Sequence, residues 1–236
     1  MTPKDLPLSD HVRRHRVRLL EGFLEELIRL APQSVLDVGC GDGDVIRGLA
    51  ARAIPATGLE ADTEKARALE AEGLTVVLGD AGALPFPDDE VDWVVLRHVL
   101  HHLPEPREAL AQAARVARSG IMVAEPCFPE SLPSGQVAKE FDEWLKREER
   151  RRGRCHHANT TLPELVDELE SAGLRPDEAR WHQPIGLRPA EWLAQEVLDV
   201  DPSLLESEVY LAMEARARQA GASVNGSLIV IARARS

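Results

Sequence analysis

The run Ser34-Val35-Leu36-Asp37-Val38-Gly39-Cys40-Gly41-Asp42-Gly43 constrains this chain more than any other stretch. Val35 to Val38 is a short apolar run of the kind that forms a strand buried on both faces of a parallel sheet. It stops at Gly39, Gly41 and Gly43, and a helical pattern from Val45 to Arg52 follows, with Asp44 as its expected cap. Glycine accepts positive φ and lets a ligand approach the backbone. The helix start behind such a loop offers unpaired N–H groups and a partial positive charge. The loop is therefore expected to hold something polar.

At 236 residues the chain suits one domain, 1–236, with insertions and a full core. Charged residues make up 29% and hydrophobic ones 44%, and no stretch reaches the ~18 to 20 apolar residues that span a bilayer. The first ten residues hold charges and prolines rather than an apolar export core, so the expected location is the cytoplasm. Cys40, Cys127 and Cys155 are ungrouped and are read as free thiols. A formal charge of -12 disfavours nucleic acid and anionic lipid, which leaves a small molecule as the expected partner. One basic segment runs against that charge, with Lys146, Arg147, Arg150, Arg151, Arg152 and Arg154 around Glu148 and Glu149. It reads first as a solvated helix face with i,i+4 ion pairs and second as a patch for an acidic substrate or RNA.

Taken in order, Asp10 to Leu30 has helical spacing, capped by Ser9 or Asp10. Ile54 to Glu60 is a second strand ending on an acid 23 residues after Asp37, near the ~20-residue offset at which a carboxylate grips ribose hydroxyls in doubly wound folds. Asp62 is either the fallback for that ribose contact or the cap of a helix over Thr63 to Glu72. A third strand, Leu74 to Leu78, leads to Gly79-Asp80-Ala81, where a carboxylate and the next N–H suit an adenine edge. Val91 to Leu96, a helix over Pro106 to Val116, and Ile121 to Ala124 complete a repeating β-α pattern. Helices are expected over 135–152, 162–172, 190–200 and 204–219, a weak sixth strand over 178–183 and a strong last one over 227–232.

The succession Val-Leu-Asp-Val-Gly-Cys-Gly-Asp-Gly, Gly-Leu-Glu-Ala-Asp, Gly-Asp-Ala-Gly-Ala-Leu-Pro-Phe-Pro-Asp-Asp-Glu-Val-Asp and Val-Leu-His-His-Leu resembles the class I (Rossmann-like) methyltransferases that use S-adenosylmethionine, in the small-molecule branch that includes ubiquinone/menaquinone-type enzymes. The resemblance covers about residues 34–126. It implies an α/β fold with a doubly wound, seven-stranded, mostly parallel sheet whose last strand is antiparallel, and cofactor bound across the carboxyl ends of strands one to four. Carried to matching positions, it puts Asp37, Gly39, Cys40 and Gly41 around the methionine portion, Glu60 and Ala61 at the ribose, Asp80 and Ala81 at adenine, and Arg97 beside the cofactor. Glu60 departs from the more usual aspartate of this branch. An N-terminal helix (1–30), a cofactor core (31–126) and helical insertions at 127–160 and 187–225 are expected, the helix and insertions forming a lid over the acceptor.

Methyl transfer from a sulfonium needs chiefly alignment and exclusion of water, so strong catalytic groups are optional. His98 and His101 are the candidate general bases, because imidazole titrates near neutrality. His98, His101 and His102 at i, i+3 and i+4 suggest a shared helical face, which with Cys155-His156-His157 could make a metal site; the resemblance assigns the His-His pair to packing and site lining instead, and no metal is expected. Two rivals stand beside the enzyme. A non-catalytic sensor or partner subunit that binds S-adenosylmethionine would keep the same binding residues. A nicotinamide-dependent oxidoreductase is disfavoured because Asp44 replaces the third glycine of G-x-G-x-x-G, and Asp42 and Asp44 would repel a pyrophosphate.

Overall fold

A computed structural model describes residues 10–183, 186–188 and 190–234. The expected cap Ser9, the rest of the first nine residues and Pro189 lie outside the described residues. The elements in order are α1 (Asp10–Arg29), β1 (Val35–Val38), α2 (Asp44–Ala50), β2 (Ala56–Glu60), α3 (Thr63–Ala71), β3 (Val76–Leu78), β4 (Val91–Arg97), α4 (Pro106–Val116), β5 (Ala117–Cys127), α5 (Pro133–Arg151), α6 (Leu162–Ser171), β6 (Leu174–His182), β7 (Leu187–Arg188), α7 (Ala190–Val200), α8 (Glu208–Ala220), β8 (Ala222–Ser223) and β9 (Gly226–Ala234).

Seven strands form one sheet in the order β3-β2-β1-β4-β5-β9-β6, mostly parallel, with an antiparallel edge at β9 and β6. β1 sits between β2 and β4, parallel to both, with Val38 opposite Leu59 on one side and Leu96 on the other. The connections therefore leave in opposite directions beside β1, the switch point at which open α/β sheets bind ligands beyond the carboxyl ends of their strands. All four residues of β1 are buried, as its uninterrupted apolar pattern requires apart from Asp37.

The chain divides into two compact units. Leu20–Glu125, Thr160–Arg180 and Leu228–Ser236 make the sheet unit, whose core joins Phe23, Leu24 and Leu27 of α1 to Val35, Trp93, Val95, Met122, Ile229 and Ile231. Met1–Leu19, Pro126–Asn159 and Trp181–Ser227 make the other, which takes in nearly all of both expected insertions. This helical unit has its own core, with Phe141, Trp144, Leu193, Val197, Tyr210 and Met213 in contact across α5, α7 and α8. Its basic segment is largely consumed in pairing. Lys146 is buried and lies 3.2 Å from Asp142, Arg152 reaches Glu148 at 2.9 Å and Asp201 at 2.7 Å, Arg154 reaches Glu149 at 3.2 Å, and Arg151 pairs with Glu148. The ion pairing expected first is present, in part at i,i+4, but the face is not wholly solvated, because Lys146 and Glu148 are buried. Among the described residues no helix is long and apolar enough to cross a membrane.

Candidate functional site

The site grows out of four strand ends in the sheet unit. β1 stops at Gly39, whose φ of 68° is open to glycine and whose added Cβ would stand 2.8 Å from Val99 Cγ2. Gly41 and Gly43 also have positive φ, so the loop turns on glycines throughout. α2 begins one residue earlier than its sequence pattern suggests. Gly43, in the left-handed region and without a side-chain bond, occupies the cap, and Asp44 is the first helical residue. Asp44 thus places its charge in the first turn, facing Arg47 at 3.6 Å, and caps nothing.

β2 delivers Glu60. Its Oε2 accepts from Gly41 N–H at 2.8 Å and its Oε1 from Asp62 N–H at 3.0 Å, so this carboxylate ties the glycine loop to the start of α3. Each oxygen keeps a second acceptor site, enough for two hydroxyls. Asp62 caps α3 as expected, accepting from Glu64 N–H at 2.8 Å and Lys65 N–H at 3.1 Å. Beyond β3, Asp80 Oδ1 accepts from Gly82 N–H at 2.7 Å, which fixes the exposed turn that carries it. β4 ends on Arg97, whose guanidinium lies 5.9 Å from the centre of the Phe23 ring.

These residues enclose one cavity of about 500 Å³, lined by Asp37, Gly39, Cys40, Gly41, Glu60, Ala61, Asp80, Ala81 and Arg97, the whole expected cofactor set. Asp42, Asp44, Lys65, His98, Val99, His102 and Leu103 are also in the wall. Asp37 is 2% exposed, and its Oδ2 has no hydrogen-bond partner among the described residues. Burial pushes its carboxyl up to about 7; the Arg97 charge opposes that rise, and Glu60 and Asp44 add to it. Cys40 is pushed up to about 12 by burial and by the charges of Asp37 and Glu60, so its thiol stays protonated and serves as lining.

The two candidate bases part company. His98 lines the cavity with φ 57°, while His101 is 5% exposed, absent from the lining and held against Glu125. The segment Leu100–His102 is a single 3-10 turn and His98 lies outside it in the left-handed region, so the helical face expected to join 98, 101 and 102 does not form. His102, next to His101 with ring centres 4.2 Å apart, lines the cavity instead. Sequence reasoning passed over Lys65 and Glu125. An acid directly after the apolar run Ile121 to Ala124 was the available signal for the second.

A cavity at the β1 switch point, with a glycine rim and a buried carboxylate whose Oδ2 has no hydrogen-bond partner among the described residues, fits a ligand that brings a cationic donor. The description "Methyltransferase domain" belongs to the family model that matches residues 36–124. Over that stretch the chain is similar to methyltransferases. The chain is 34% identical over 171 residues to 27-O-demethylrifamycin SV methyltransferase of Amycolatopsis mediterranei, covering 69% of this chain and 61% of that protein. It is 34% identical over 117 residues to demethylmenaquinone methyltransferase of Staphylococcus aureus, covering 45% of this chain and 46% of that one. The chain therefore spans roughly half the length of curated relatives it matches. The fold is shared with the YcgJ protein of Bacillus subtilis, at a TM-score of 0.66, 21% identity, and coverage of 92% of this chain and 99% of that one.

Proposed function

We propose that the chain binds S-adenosylmethionine in this cavity and transfers its methyl group to a small-molecule acceptor. The observation that carries the reading is the unpartnered, buried Oδ2 of Asp37 on the cavity wall. That oxygen needs a hydrogen-bond donor besides the Arg97 charge, and an α-ammonium group supplies one together with a second positive charge. When bound, the cofactor supplies a methyl group on a sulfonium, which leaves as a neutral thioether without needing a proton. The residues then have binding and alignment to do. Asp37 holds the ammonium, Gly39 and Gly41 pass the methionine portion along the backbone, Glu60 accepts from the ribose hydroxyls, and Asp80 with the N–H of Ala81 meets adenine. Arg97 faces Asp37 and balances the carboxylates of the wall. His98 is the ring nitrogen placed to take a proton from an oxygen or nitrogen acceptor. The burial of His101 on Glu125, away from the cavity lining, favours His98 over it as the base.

The N-terminal helix and the 127–160 and 187–225 segments are proposed to choose the acceptor, since the family model stops at residue 124 and what individualises this chain lies outside it. The deciding experiment is calorimetric titration with S-adenosylmethionine and S-adenosylhomocysteine of the wild type, Glu60→Ala and Asp80→Ala. Both substitutions remove charge-assisted hydrogen bonds and are expected to weaken binding by roughly tenfold to a hundredfold. Folded wild type that binds neither compound sinks the reading. With an acceptor in hand, full turnover by His98→Ala would remove that residue as base.

A further inference from the structure

Glu125 follows the apolar core of β5 and is fully shielded from solvent, yet it is not among the residues that line the cavity. A carboxylate so placed must be satisfied from within. Among the described residues, the partners of this carboxylate all come from one short segment. Oε1 accepts from Val99 N–H at 3.2 Å and from Leu100 N–H at 3.1 Å, and Oε2 meets Nδ1 of His101. These N–H groups open the 3-10 turn Leu100–His102, whose cap residue, Val99, makes no side-chain bond to it. First-turn N–H groups have no partner inside a helix, so the turn lacks a local cap and borrows one from the neighbouring strand.

The same segment is pinned one residue earlier. His98 N–H donates to Ala124 O at 2.7 Å, directly before Glu125, while His98 itself sits at φ 57°. A residue with a side chain holds that conformation only where its surroundings over-determine it. Ala124 and Glu125 together fix three consecutive N–H groups, those of His98, Val99 and Leu100. The consequence reaches the cavity by two routes. Arg97, His98, Val99, His102 and Leu103 form one wall of it, and the Val99 side chain packs so closely over Gly39 that a Cβ on Gly39 would stand 2.8 Å from Val99 Cγ2. A shift of this segment therefore moves the wall and presses on the glycine loop opposite.

We propose that Glu125 is a positioning residue for the cofactor cavity, acting as a tertiary cap that holds residues 98–101 so that their segment forms the wall and seats Val99 on Gly39. The proposal rests on the reading of this cavity as the S-adenosylmethionine site only where affinity is measured. The placement of the segment is tested without any ligand.

The experiment is residue-resolved amide hydrogen exchange on the wild type, Glu125→Ala and Glu125→Gln, with calorimetric titration of S-adenosylmethionine on each. In the wild type, Val99 and Leu100 exchange slowly. Loss of the acceptor in Glu125→Ala speeds exchange at both and weakens cofactor affinity, each by about tenfold or more, while the amides of 35–38 stay as in the wild type. Glu125→Gln keeps a carbonyl oxygen for the two N–H groups, so its amides stay slow and its affinity remains within about threefold of wild type. A general loss of stability would instead speed exchange everywhere and leave the affinity of the folded protein unchanged. Folded Glu125→Ala with wild-type affinity overturns the proposal, as does a glutamine variant no better than the alanine one. Should Glu125→Ala not fold, fast exchange at Val99 and Leu100 in the wild type overturns it, as does Glu125→Gln that loses the cofactor while those amides stay slow. Wild type that binds no cofactor defeats the proposed function, and the exchange ranking of the variants then decides the positioning role by itself.

Discussion

Asp37 shows what a buried carboxyl costs a fold. Its carboxyl is raised from the ordinary 3.8 to about 7, chiefly by burial. Between those values the folded chain keeps a proton that the unfolded chain has released. The stability this group contributes is therefore present at low pH and lost as pH rises through about 7. Asp37→Asn removes the dependence. The empty variant is expected to match wild type near pH 4 and to exceed it at pH 8 by on the order of a few kcal/mol, since each tenfold change in a proton-binding constant is worth ~1.4 kcal/mol. Denaturant titrations of both proteins across that range check the sign, and equal pH slopes would overturn it. The same substitution is expected to abolish tight cofactor binding, because an amide cannot neutralise an ammonium group; stability and function are opposed at this one side chain.

At the scale of elements, what could be read from the sequence was what is local. β1 and its glycine loop, the Asp62 cap of α3 and Pro106 in the first turn of α4 all follow from residues adjacent in the chain. So does the carrying of Glu60 and Asp80 to the cavity, since one ends and the other closely follows a strand whose direction the β-α repeat dictates. The two-residue strands β7 and β8 escaped notice because nothing in so short a run distinguishes a ladder from a loop. The split between His98 and His101 escaped for another reason. It depends on Glu125, 24 residues further on from His101, and no periodicity within 97–103 encodes a partner on another strand. Local signals can be tested locally. Thr161 begins α6 with a capping box, donating its N–H to Glu164 Oε2 at 2.8 Å and accepting from Glu164 N–H at 3.5 Å, ahead of Leu165 and Leu169, both fully buried. Thr161→Ala is expected to cost about 1 kcal/mol in denaturant unfolding and to leave cofactor affinity untouched. A loss of affinity would show that α6 does more than support the sheet.

Across the whole molecule, charge selects among ligands more sharply than shape does. The chain carries a formal charge of -12, and Asp37, Asp42, Asp44, Glu60 and Asp80 face the cavity against Lys65 and Arg97. Such a field repels a pyrophosphate and draws in a cation, which is why the glycine loop, ambiguous by itself, points away from dinucleotides. S-adenosylmethionine has a sulfonium, an ammonium and a carboxylate, so it is a net cation. S-adenosylhomocysteine, without the sulfonium, is neutral overall. The two differ by a methyl group in shape and by a full charge in electrostatics, and salt separates the contributions. Raising ionic strength from about 20 mM to about 500 mM shrinks the Debye length from roughly 20 Å to about 4 Å and is expected to weaken binding of the cation by roughly threefold. The neutral product should change by less than half as much over the same range. Parallel calorimetric titrations at both salt concentrations make the comparison in one protein preparation. Equal salt slopes for the two ligands would mean that the carboxylates of the wall are neutralised locally, by hydrogen bonds such as those to Glu60 and Asp80, and that the glycine loop recognises its ligand by contact alone.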